Sequence, residues 1–339
     1  MGAPAEIPIS MNYDVEADFS PATTCNFRCV YCGIPDSIRG AGARVFGTVE
    51  QWGDAFDSTG KVWLIHITGG EPFTYPGLVS LCERLARRHC LSINTNLSCG
   101  SAGDFADRID PRRVHFINAS VHYEERQAAG ALDAFIARAQ MLGAARFNVL
   151  LSLVMTPRMV DRFSDISARF ERDGLSLVPK MLRGAFEGRR YPGGYSPEHK
   201  ALLREYFAAA RSKYAQTLAA MGEPPTHDMF SDGRFLDGLD CYHGRLCGSG
   251  YNFVVITPEG NVFRCDPGQP MGNLLRKDVK LKTRPTPCDA SYCHYFCEKY
   301  TSAQFAKASG ALARPASHAQ TIRRLISRWV PRWSAPSHP

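Results

Sequence analysis

Residues 25–32 read Cys-Asn-Phe-Arg-Cys-Val-Tyr-Cys and follow the apolar stretch 19–24. Cys25, Cys29 and Cys32, called the cysteine triplet below, therefore have the spacing C-x3-C-x2-C. Three neighbouring thiolates can bind three irons of a cubane cluster and leave its fourth iron open, whereas a structural zinc site closes with four protein ligands. The spacing favours an iron–sulfur cluster with one reactive iron. A zinc knuckle, or a disulfide beside a free thiol, is the alternative interpretation.

The next apolar run, residues 62–67, precedes a second motif, Gly69-Gly70-Glu71-Pro72, called the GGEP motif below. Together the two motifs resemble those of the radical SAM superfamily. The resemblance implies a [4Fe-4S] cluster on the triplet, and S-adenosylmethionine chelated to the open iron through its amino and carboxyl groups. It also implies that the GGEP motif contacts the methionine amino group, and that flavodoxin or ferredoxin donates electrons. Tyr31 matches an aromatic residue that the family often has directly before the third cysteine.

Apolar runs alternate with helix-compatible periodicity along most of the chain, which is typical of parallel strands covered by helices. The predicted strands cover residues 19–24, 62–68, 91–95, 114–121, 147–155 and 175–181. The predicted helices cover residues 49–56, 78–88, 105–109, 132–142 and 160–172, and a sixth begins near Ser196, Pro197 and Glu198. Ser at the N-cap and Pro at the first helical position favour that start. The sequence therefore predicts an α/β fold with a partial (β/α)6 barrel of the TIM type.

Polar residues stand where the predicted strands end, and chemistry in such barrels gathers at those ends. The triplet follows strand one and the GGEP motif follows strand two, so the barrel brings them to one rim. By the resemblance, the ends of strands three and four are candidate S-adenosylmethionine contacts, and a capping or loop role is the alternative. These candidates are Asn94, Thr95, Asn96, Ser120 and His122.

Other side chains near the predicted rim are weaker candidates. Cys99 is either a hydrogen-atom donor or an inert thiol, and Cys82 and Cys90 are interpreted as packing residues. Charged residues after strand six either grip a polar substrate or face solvent. With the tyrosine beside them, they are Lys180, Arg183, Glu187, Arg189, Arg190 and Tyr191.

A second group of cysteines follows the Gly/Pro-rich segment 221–225, which indicates a boundary. Between the second and third of these cysteines lies a sequence that predicts a hairpin turning at Pro258-Glu259-Gly260. The spacing resembles the SPASM and twitch extensions of radical SAM enzymes, which implies an auxiliary [4Fe-4S] cluster. The six cysteines are Cys241, Cys247, Cys265, Cys288, Cys293 and Cys297.

This cysteine group departs from the full SPASM pattern. The late portion reads Cys288-x4-Cys293-x3-Cys297 with no cysteine afterwards, so one cluster with four ligands is favoured over two clusters. Cys247 and Cys265 are the expected ligands by spacing, and the other four cysteines compete for two places. A zinc ribbon is the alternative, because thiolates at these spacings also suit tetrahedral zinc.

Composition bounds the remaining expectations. The chain has 339 residues, 44% of them hydrophobic, twelve cysteines and a formal charge of +7. Its basic residues are scattered without an RNA-binding motif, so we expect no nucleic-acid partner. The chain has no export signal and no apolar run of roughly 20 residues, which predicts a cytoplasmic enzyme. The predicted divisions are an N-terminal segment 1–17, the barrel 18–222, a twitch/SPASM-like domain 223–305 and a tail 306–339.

The predicted tail carries an apolar helical stripe opposite arginines, beginning at Ile322, which predicts either membrane contact or docking on the barrel. About 24 residues precede the triplet, too few for the leader-binding domain of many peptide-modifying relatives, so a small-molecule substrate is favoured. Relatives of this layout imply oxidation (dehydrogenation) or epimerisation of a carbohydrate-like substrate, such as a sugar or aminocyclitol. A peptide maturase and a non-catalytic iron–sulfur scaffold remain alternatives.

Overall fold

Six parallel strands form the wall of a partial barrel in the computed structural model, which describes residues 12–216, 236, 243–265, 269–290 and 293. The strands lie side by side in chain order within one sheet. They are β1 (Val15–Ala22), β2 (Trp63–Gly69), β3 (Cys90–Thr95), β4 (Val114–Ser120), β5 (Val149–Met155) and β6 (Leu177–Met181). The predicted α/β fold with a six-stranded partial barrel is confirmed.

Helices connect the strands. They are α1 (Asp36–Arg39), α2 (Val49–Asp57), α3 (Leu78–Ala86), α4 (Ala102–Arg108), α5 (Tyr123–Ala128), α6 (Leu132–Ala144), α7 (Pro157–Glu171) and α8 (Pro197–Lys213). The predicted cap of α8 is confirmed, because Ser196 Oγ accepts a hydrogen bond from the backbone N–H of His199 at 3.1 Å. Helices α1 and α5 were not predicted, because these short polar segments carry no apolar periodicity.

Strand β1 begins four residues before the predicted start and inside the predicted N-terminal segment. Its odd-numbered residues face the helices: the Phe19 ring lies 4.8 Å from Trp52 and 5.7 Å from Phe56. Its even-numbered residues face the barrel interior, where Glu16 Oε2 lies 3.1 Å from His66 Nε2. Buried acidic residues are rare without a partner, and no local pattern shows that His66 partners Glu16, so the predicted strand starts after this residue.

Two further groups of strands follow the barrel. A hairpin of β7 (Gly184–Phe186) and β8 (Arg189–Tyr191) follows β6, in a segment for which no strand was predicted. The C-terminal strands are β9 (Leu246–Cys247), β10 (Phe253–Ile256), β11 (Asn261–Phe263), β12 (Pro270–Asn273) and β13 (Thr286–Pro287). The predicted hairpin is confirmed, since β10 and β11 pair antiparallel around the turn at 257–260.

The hairpin also joins the barrel sheet. Strand β10 lies parallel to β1, with Glu16 opposite Phe253 and Phe19 opposite Ile256. The sheet therefore has nine strands, in the order β12-β11-β10-β1-β2-β3-β4-β5-β6. Strand β1, which carries the triplet at its end, is consequently flanked by β2 and by a strand from the C-terminal cysteine region.

Some predictions fall outside the described residues. These are the positions of Cys241 and Cys297, the boundary near residue 222 and the tail helix of 306–339. Within the described ranges, no helix combines the length and apolar character needed to cross a bilayer.

Candidate metal centre

The cysteine triplet lies on the loop that follows β1. Cys29 is buried, Cys25 is half-buried and Cys32 is exposed. The loop is tied to its own continuation, because the backbone N–H of Cys25 donates to the carbonyl of Arg39 at 3.0 Å. The backbone N–H of Phe27 donates to Cys25 Sγ at 3.4 Å. One end of the triplet is thus fixed by backbone contacts.

The GGEP motif lies directly against this loop. The backbone N–H of Gly70 donates to Ala22 O at 3.3 Å, and that of Glu71 donates to Thr24 O at 2.8 Å. A Cβ atom on Gly70 would lie 2.0 Å from Thr24 O, so no larger residue fits there. The two glycines therefore allow the end of β2 to approach the start of the triplet loop, as the predicted convergence on one rim requires.

Glu71 joins the ends of β2 and β3. Its carboxylate accepts hydrogen bonds from Thr95 Oγ1 at 2.7 Å, from the backbone N–H of Asn96 at 2.6 Å and from that of Phe73 at 3.0 Å. Burial raises the pKa of Glu71, although these donors oppose the shift. Glu71 is only 1% exposed. Its hydrogen bonds connect the end of β2 to the end of β3. Pro72 begins the short 3-10 helix that follows, Pro72–Thr74.

Asn96 lies at the same rim, whereas Asn94 faces into the barrel. Asn96 Nδ2 donates to Asn26 Oδ1, inside the triplet loop, at 3.0 Å. Asn94 is half-buried and lies opposite Asn118 of β4 in the sheet register. Ser120, also half-buried, lies opposite Ser152 of β5. Their predicted contacts with S-adenosylmethionine remain predictions.

His122 contacts the triplet directly. Its Nδ1 lies 3.2 Å from Cys29 Sγ and 2.8 Å from the Tyr31 hydroxyl, and the Tyr31 and His122 rings are stacked. Burial, together with the charges of Arg126 and Lys180, lowers the pKa of His122 to about 3. The imidazole is therefore neutral near pH 7 and can bond to the sulfur without adding a charge.

Two buried arginines were not singled out from the sequence. Arg126 donates from Nε to Val121 O at 2.6 Å and from Nη2 to Asn96 O, and its guanidinium lies 5.2 Å from the Phe27 ring centre. Arg39 donates to Cys29 O at 3.4 Å and pairs with Asp36. Arg126 therefore connects the triplet loop to the ends of β3 and β4. No motif marks either arginine, because each acts through backbone carbonyls.

The residues expected after strand six separate into two groups, and one of them, Lys180, lies within β6 itself. Lys180 and Arg183 are half-buried, and Lys180 lies close enough to His122 to lower its pKa. Glu187, Arg189 and Arg190 are exposed on the β7–β8 hairpin. Tyr191 is only 3% exposed and its ring packs 4.8 Å from Tyr195. It is therefore a packing residue, and it does not share the surface of the charged residues.

The remaining cysteines of the barrel are embedded to different degrees. Cys82 and Cys90 are buried, as predicted for packing residues. Cys99 is half-buried, its Sγ lies 3.9 Å from Ser98 Oγ, and burial raises its pKa. A raised pKa keeps Cys99 as the neutral thiol, which is the form that can donate a hydrogen atom, so both interpretations of Cys99 remain predictions.

The C-terminal cysteines within the described residues are gathered around one spot. Cys288 and Cys293 pack against Cys247 and Phe253, and Thr286 of β13 pairs with Cys247 of β9. Burial raises the pKa of Cys265 to about 12, with further increases from Cys247 and Cys288. Four thiols from three separate segments are thus brought together: Cys247, Cys265, Cys288 and Cys293.

Arg264 organises this second group from a buried position. Its guanidinium donates to Ser249 O at 3.1 Å, Thr286 O at 3.2 Å and Pro287 O at 2.9 Å, and it lies 3.3 Å from Asp289. Arg264 therefore joins the hairpin to β13, and the adjacent Cys265 is positioned with it.

Both groups suit iron–sulfur ligation by their donor chemistry. Burial raises the pKa of Cys25 and of Cys29, and a bound cation would oppose this effect because it favours the thiolate. Sulfur also receives backbone N–H groups in both places, at Cys25 and, from Ser249 at 3.5 Å, at Cys247. Soft thiolate sets with such donors fit iron–sulfur clusters.

Comparisons with known proteins agree with this architecture. Residues 19–139 match the radical SAM superfamily. GTP 3',8-cyclase of Pseudomonas syringae pv. syringae (strain B728a) is 27% identical over 288 residues, which cover 78% of this chain and 81% of that protein. Mycofactocin maturase MftC of Mycobacterium ulcerans (strain Agy99) is 24% identical over 254 residues, with 71% of this chain and 65% of that protein covered.

Solved structures share the fold. The native anSMEcpe with bound AdoMet superposes with a TM-score of 0.55 at 13% identity, covering 79% of this chain and 81% of that chain. Streptococcus suis SuiB bound to S-adenosylmethionine superposes with a TM-score of 0.52 at 16% identity, covering 78% of this chain and 64% of that chain. At these identities the likeness is one of fold.

Proposed function

We propose that this chain, which belongs to the radical SAM superfamily, is an enzyme that abstracts hydrogen from a small polar substrate with a sugar-like ring. When bound, the [4Fe-4S] cluster and S-adenosylmethionine supply the reactive species, a 5'-deoxyadenosyl radical made by one-electron cleavage. Cys25, Cys29 and Cys32 would hold the cluster. The protein orients the substrate and excludes water, since such a radical must meet only the intended hydrogen.

The contact between the triplet loop and the GGEP motif carries this proposal. The 2.8 Å bond from the Glu71 backbone to Thr24 O fixes the two motifs at one rim. Tyr31 and His122 border the triplet on the side of β4. In our proposal, Tyr31, the GGEP motif, Asn94, Asn96, Ser120 and His122 form the surroundings of S-adenosylmethionine.

The barrel interior supports a small polar substrate. Asn118 Oδ1 and Ser152 Oγ are buried on β4 and β5 and have no hydrogen-bond partner among the described residues. Because buried polar atoms are normally paired, these two can bind a hydroxyl-rich ligand. Lys180 lies on the neighbouring β6. The ribose of a nucleotide also meets this description, and P. syringae GTP 3',8-cyclase is named for a nucleotide.

We further propose that Cys247, Cys265, Cys288 and Cys293 hold one auxiliary [4Fe-4S] cluster. Their gathering around Phe253 and Arg264 supports this ligand set. An auxiliary cluster supplies an electron acceptor, which favours net oxidation of the substrate. Epimerisation instead returns a hydrogen atom to the opposite face of the same carbon.

Peptide maturation is the second candidate function. The similarity to MftC, named as a mycofactocin maturase, supports it. A peptide would present one side chain to the barrel interior and leave the rest outside, whereas a sugar would enter whole. Co-purification of a short peptide with the protein would favour this candidate.

Iron content and S-adenosylmethionine cleavage test the proposal. Iron and sulfide are measured per chain after anaerobic reconstitution in wild type, in the Cys25/Cys29/Cys32→Ala variant and in a Cys90→Ala control. We expect the triple variant to lose about four irons and to keep about four, and the control to match wild type. Dithionite-reduced wild type should release 5'-deoxyadenosine, with deuterium from a labelled sugar, GTP or peptide identifying the substrate. Wild-type iron in the triple variant, or no 5'-deoxyadenosine from wild type, contradicts the proposal.

A further inference from the structure

Helix α5 carries a carboxylate that the proposed function does not use. Glu125 lies in the first turn of this helix, three residues after its N-cap, His122. Side chains at that spacing share one face of a helix. The ligand atoms of Glu125, of His122 and of Cys29 in the triplet all lie within 4.8 Å of one another. A carboxylate, an imidazole and a thiol are therefore gathered at one point, called the α5 site below.

These three donors match the ligands of zinc. Zinc binds sulfur at about 2.3 Å and nitrogen or carboxylate oxygen at about 2.0–2.2 Å, in tetrahedral geometry. Those lengths place a sulfur and a nitrogen about 3.5 Å apart around one ion, and Cys29 Sγ lies 3.2 Å from His122 Nδ1. Rotation of the Glu125 side chain can bring its carboxylate to the same ion. Three protein ligands would leave the fourth tetrahedral position to water.

The α5 site also has an unsatisfied acceptor. Glu125 Oε2 is buried and has no hydrogen-bond partner among the described residues, and Cys29 is only 4% exposed. Arg126 is the next residue of the helix, but its guanidinium donates to backbone carbonyls. Buried charges are normally paired or bound to a metal. A divalent cation would balance one thiolate and one carboxylate, and it would give the Glu125 oxygen a partner.

We propose that Cys29, His122 and Glu125 bind one zinc ion in protein that has not received its iron–sulfur cluster. In the step, the Cys29 thiol releases its proton to solvent as the sulfur–zinc bond forms, and no electron is transferred. The Tyr31 hydroxyl, which lies 2.8 Å from His122 Nδ1, gives up that contact to the ion. The zinc site is a property of the cluster-free chain and does not depend on the proposed function.

One consequence does rest on the proposed function. Cys29 is a ligand in the proposed cluster, so zinc at the α5 site and a cluster on the triplet exclude each other. His122 and Glu125 would thus hold the buried cysteine in a metal-bound form until the cluster is assembled. We expect zinc-loaded protein to take up triplet iron more slowly than zinc-free protein.

A site made by the three triplet thiolates is the rival, because thiolates alone also bind zinc. Cys25 and Cys32 do not belong to the group that contains His122 and Glu125. The variants that abolish binding therefore distinguish the two sites. Cys25→Ser/Cys32→Ser leaves the α5 site complete, whereas His122→Ala and Glu125→Gln each remove one of its ligands and leave all three thiols.

Cobalt(II), a coloured substitute for zinc, is titrated anaerobically into each cluster-free variant. Bound cobalt per chain and the sulfur-to-cobalt absorbance are measured. The C-terminal cysteines are the same in every variant, so their contribution cancels in the differences. Glu124→Gln is the matched control for Glu125→Gln, because it changes the neighbouring carboxylate of the same helix, which pairs with Arg158 at 2.9 Å. Circular dichroism checks that each variant is folded, and the near-isosteric Glu125→Gln keeps the test valid if His122→Ala is not.

We expect Cys25→Ser/Cys32→Ser and Glu124→Gln to bind as much cobalt as wild type. His122→Ala and Glu125→Gln should bind one ion fewer per chain, or bind it at least about tenfold more weakly, which is the loss that even an outer partner of a ligand causes. Zinc should displace the cobalt. It should also raise the unfolding midpoint of wild type by more than that of Glu125→Gln, because an ion bound to the folded state stabilises it.

Loss of a cobalt ion in Cys25→Ser/Cys32→Ser assigns the ion to the triplet thiolates and overturns the proposal. Unchanged cobalt binding in both His122→Ala and Glu125→Gln overturns it as well. Failure of reconstituted wild type to cleave S-adenosylmethionine contradicts the proposed function instead, and it leaves the cobalt result standing. Equal rates of triplet iron uptake with and without zinc would contradict the exclusion of the cluster by the ion.

Discussion

The two cysteine groups are assembled in different ways. The triplet comes from eight consecutive residues, and neighbouring strand ends hold its loop through backbone bonds to Ala22 and Thr24. The four described C-terminal cysteines come from three separate segments, and a buried side chain, Arg264, joins those segments. A short motif can thus encode one site locally, whereas the other exists only once distant segments have packed.

Strand β1 connects the two groups. It ends at the triplet, and along its other edge it pairs with β10 of the hairpin that leads to Cys265. The groups are therefore independent in their ligands and coupled through one strand. Variants that disturb one group and spare the other measure how strong this coupling is.

The largest expected effect follows from Gly70→Ala. A Cβ atom there would lie 2.0 Å from Thr24 O and 2.5 Å from Thr23 O, both backbone atoms that cannot rotate away. We expect a loss of about 3 kcal/mol or more in the free energy of unfolding, together with the loss of triplet iron. Denaturant unfolding and iron analysis test this expectation.

Gly33→Ala is the matched control for that variant. Nothing lies within 4 Å of a Cβ at Gly33, which directly follows Cys32. Its unfolding free energy should stay within about 0.5 kcal/mol of wild type. If Gly70→Ala kept wild-type stability, the close approach of β2 to the triplet loop would be absent in solution.

Arg264→Met should affect the C-terminal group with a smaller loss. It removes hydrogen bonds to three carbonyls from a position that is 3% exposed. The expected cost is about 2–3 kcal/mol, with loss of C-terminal iron and retention of triplet iron. Arg276→Met, which removes an exposed ion pair with Asp278, is the control and should cost under about 1 kcal/mol. Loss of both clusters in Arg264→Met would show that β1 transmits the damage.

Glu71→Gln should have an effect that depends on pH. Burial raises the pKa of the Glu71 carboxyl in the folded state, so the folded state binds its proton more tightly than the unfolded chain. That contribution is present at low pH and is lost as pH rises through the folded-state pKa. Glutamine does not titrate and its amide nitrogen cannot accept one of the three hydrogen bonds, so the cost of the variant, about 1–2 kcal/mol, should be larger at pH 4.5, where the wild-type carboxyl stabilises the fold more, than at pH 8. Unfolding midpoints measured at both pH values test the sign.

The smallest expected effect is a difference in the alkylation rates of Cys32 and Cys265 in metal-free protein. Cys32 is exposed, whereas burial raises the pKa of Cys265 to about 12. Since the thiolate is the nucleophile, iodoacetamide should modify Cys32 first at pH 8. Modification of Cys265 should speed up about tenfold per pH unit toward that pKa. Peptide mass spectrometry gives both rates, and equal rates would contradict the burial of Cys265.

The sequence predicted those parts of the molecule whose signals are local. Six apolar runs marked the parallel strands, and the cap at Ser196 and the turn before Gly260 were read from neighbouring residues. The convergence of the triplet and Glu71 followed from the rule that active residues lie at strand ends. Each of these signals lies within a few residues of the feature that it encodes.

The parts that were missed depend on tertiary contacts. Arg126 sits in a short polar helix and acts on carbonyls of Asn96 and Val121, so neither its type nor its spacing marked it. The start of β1 was missed because Glu16 is stabilised by His66 from another strand. The pairing of β10 with β1 was also missed, because the residues of the two strands do not indicate which strand each one pairs with.

The parallel pairing of β10 with β1 determines the order in which the sheet can form during synthesis. A ribosome releases β1 long before Phe253, so the nascent barrel keeps one strand edge unpaired while more than two hundred residues are added. An unpaired edge recruits other strands. We therefore expect chains that stop before Phe253 to aggregate, and the early triplet loop to be most accessible to cluster-delivering proteins during that interval.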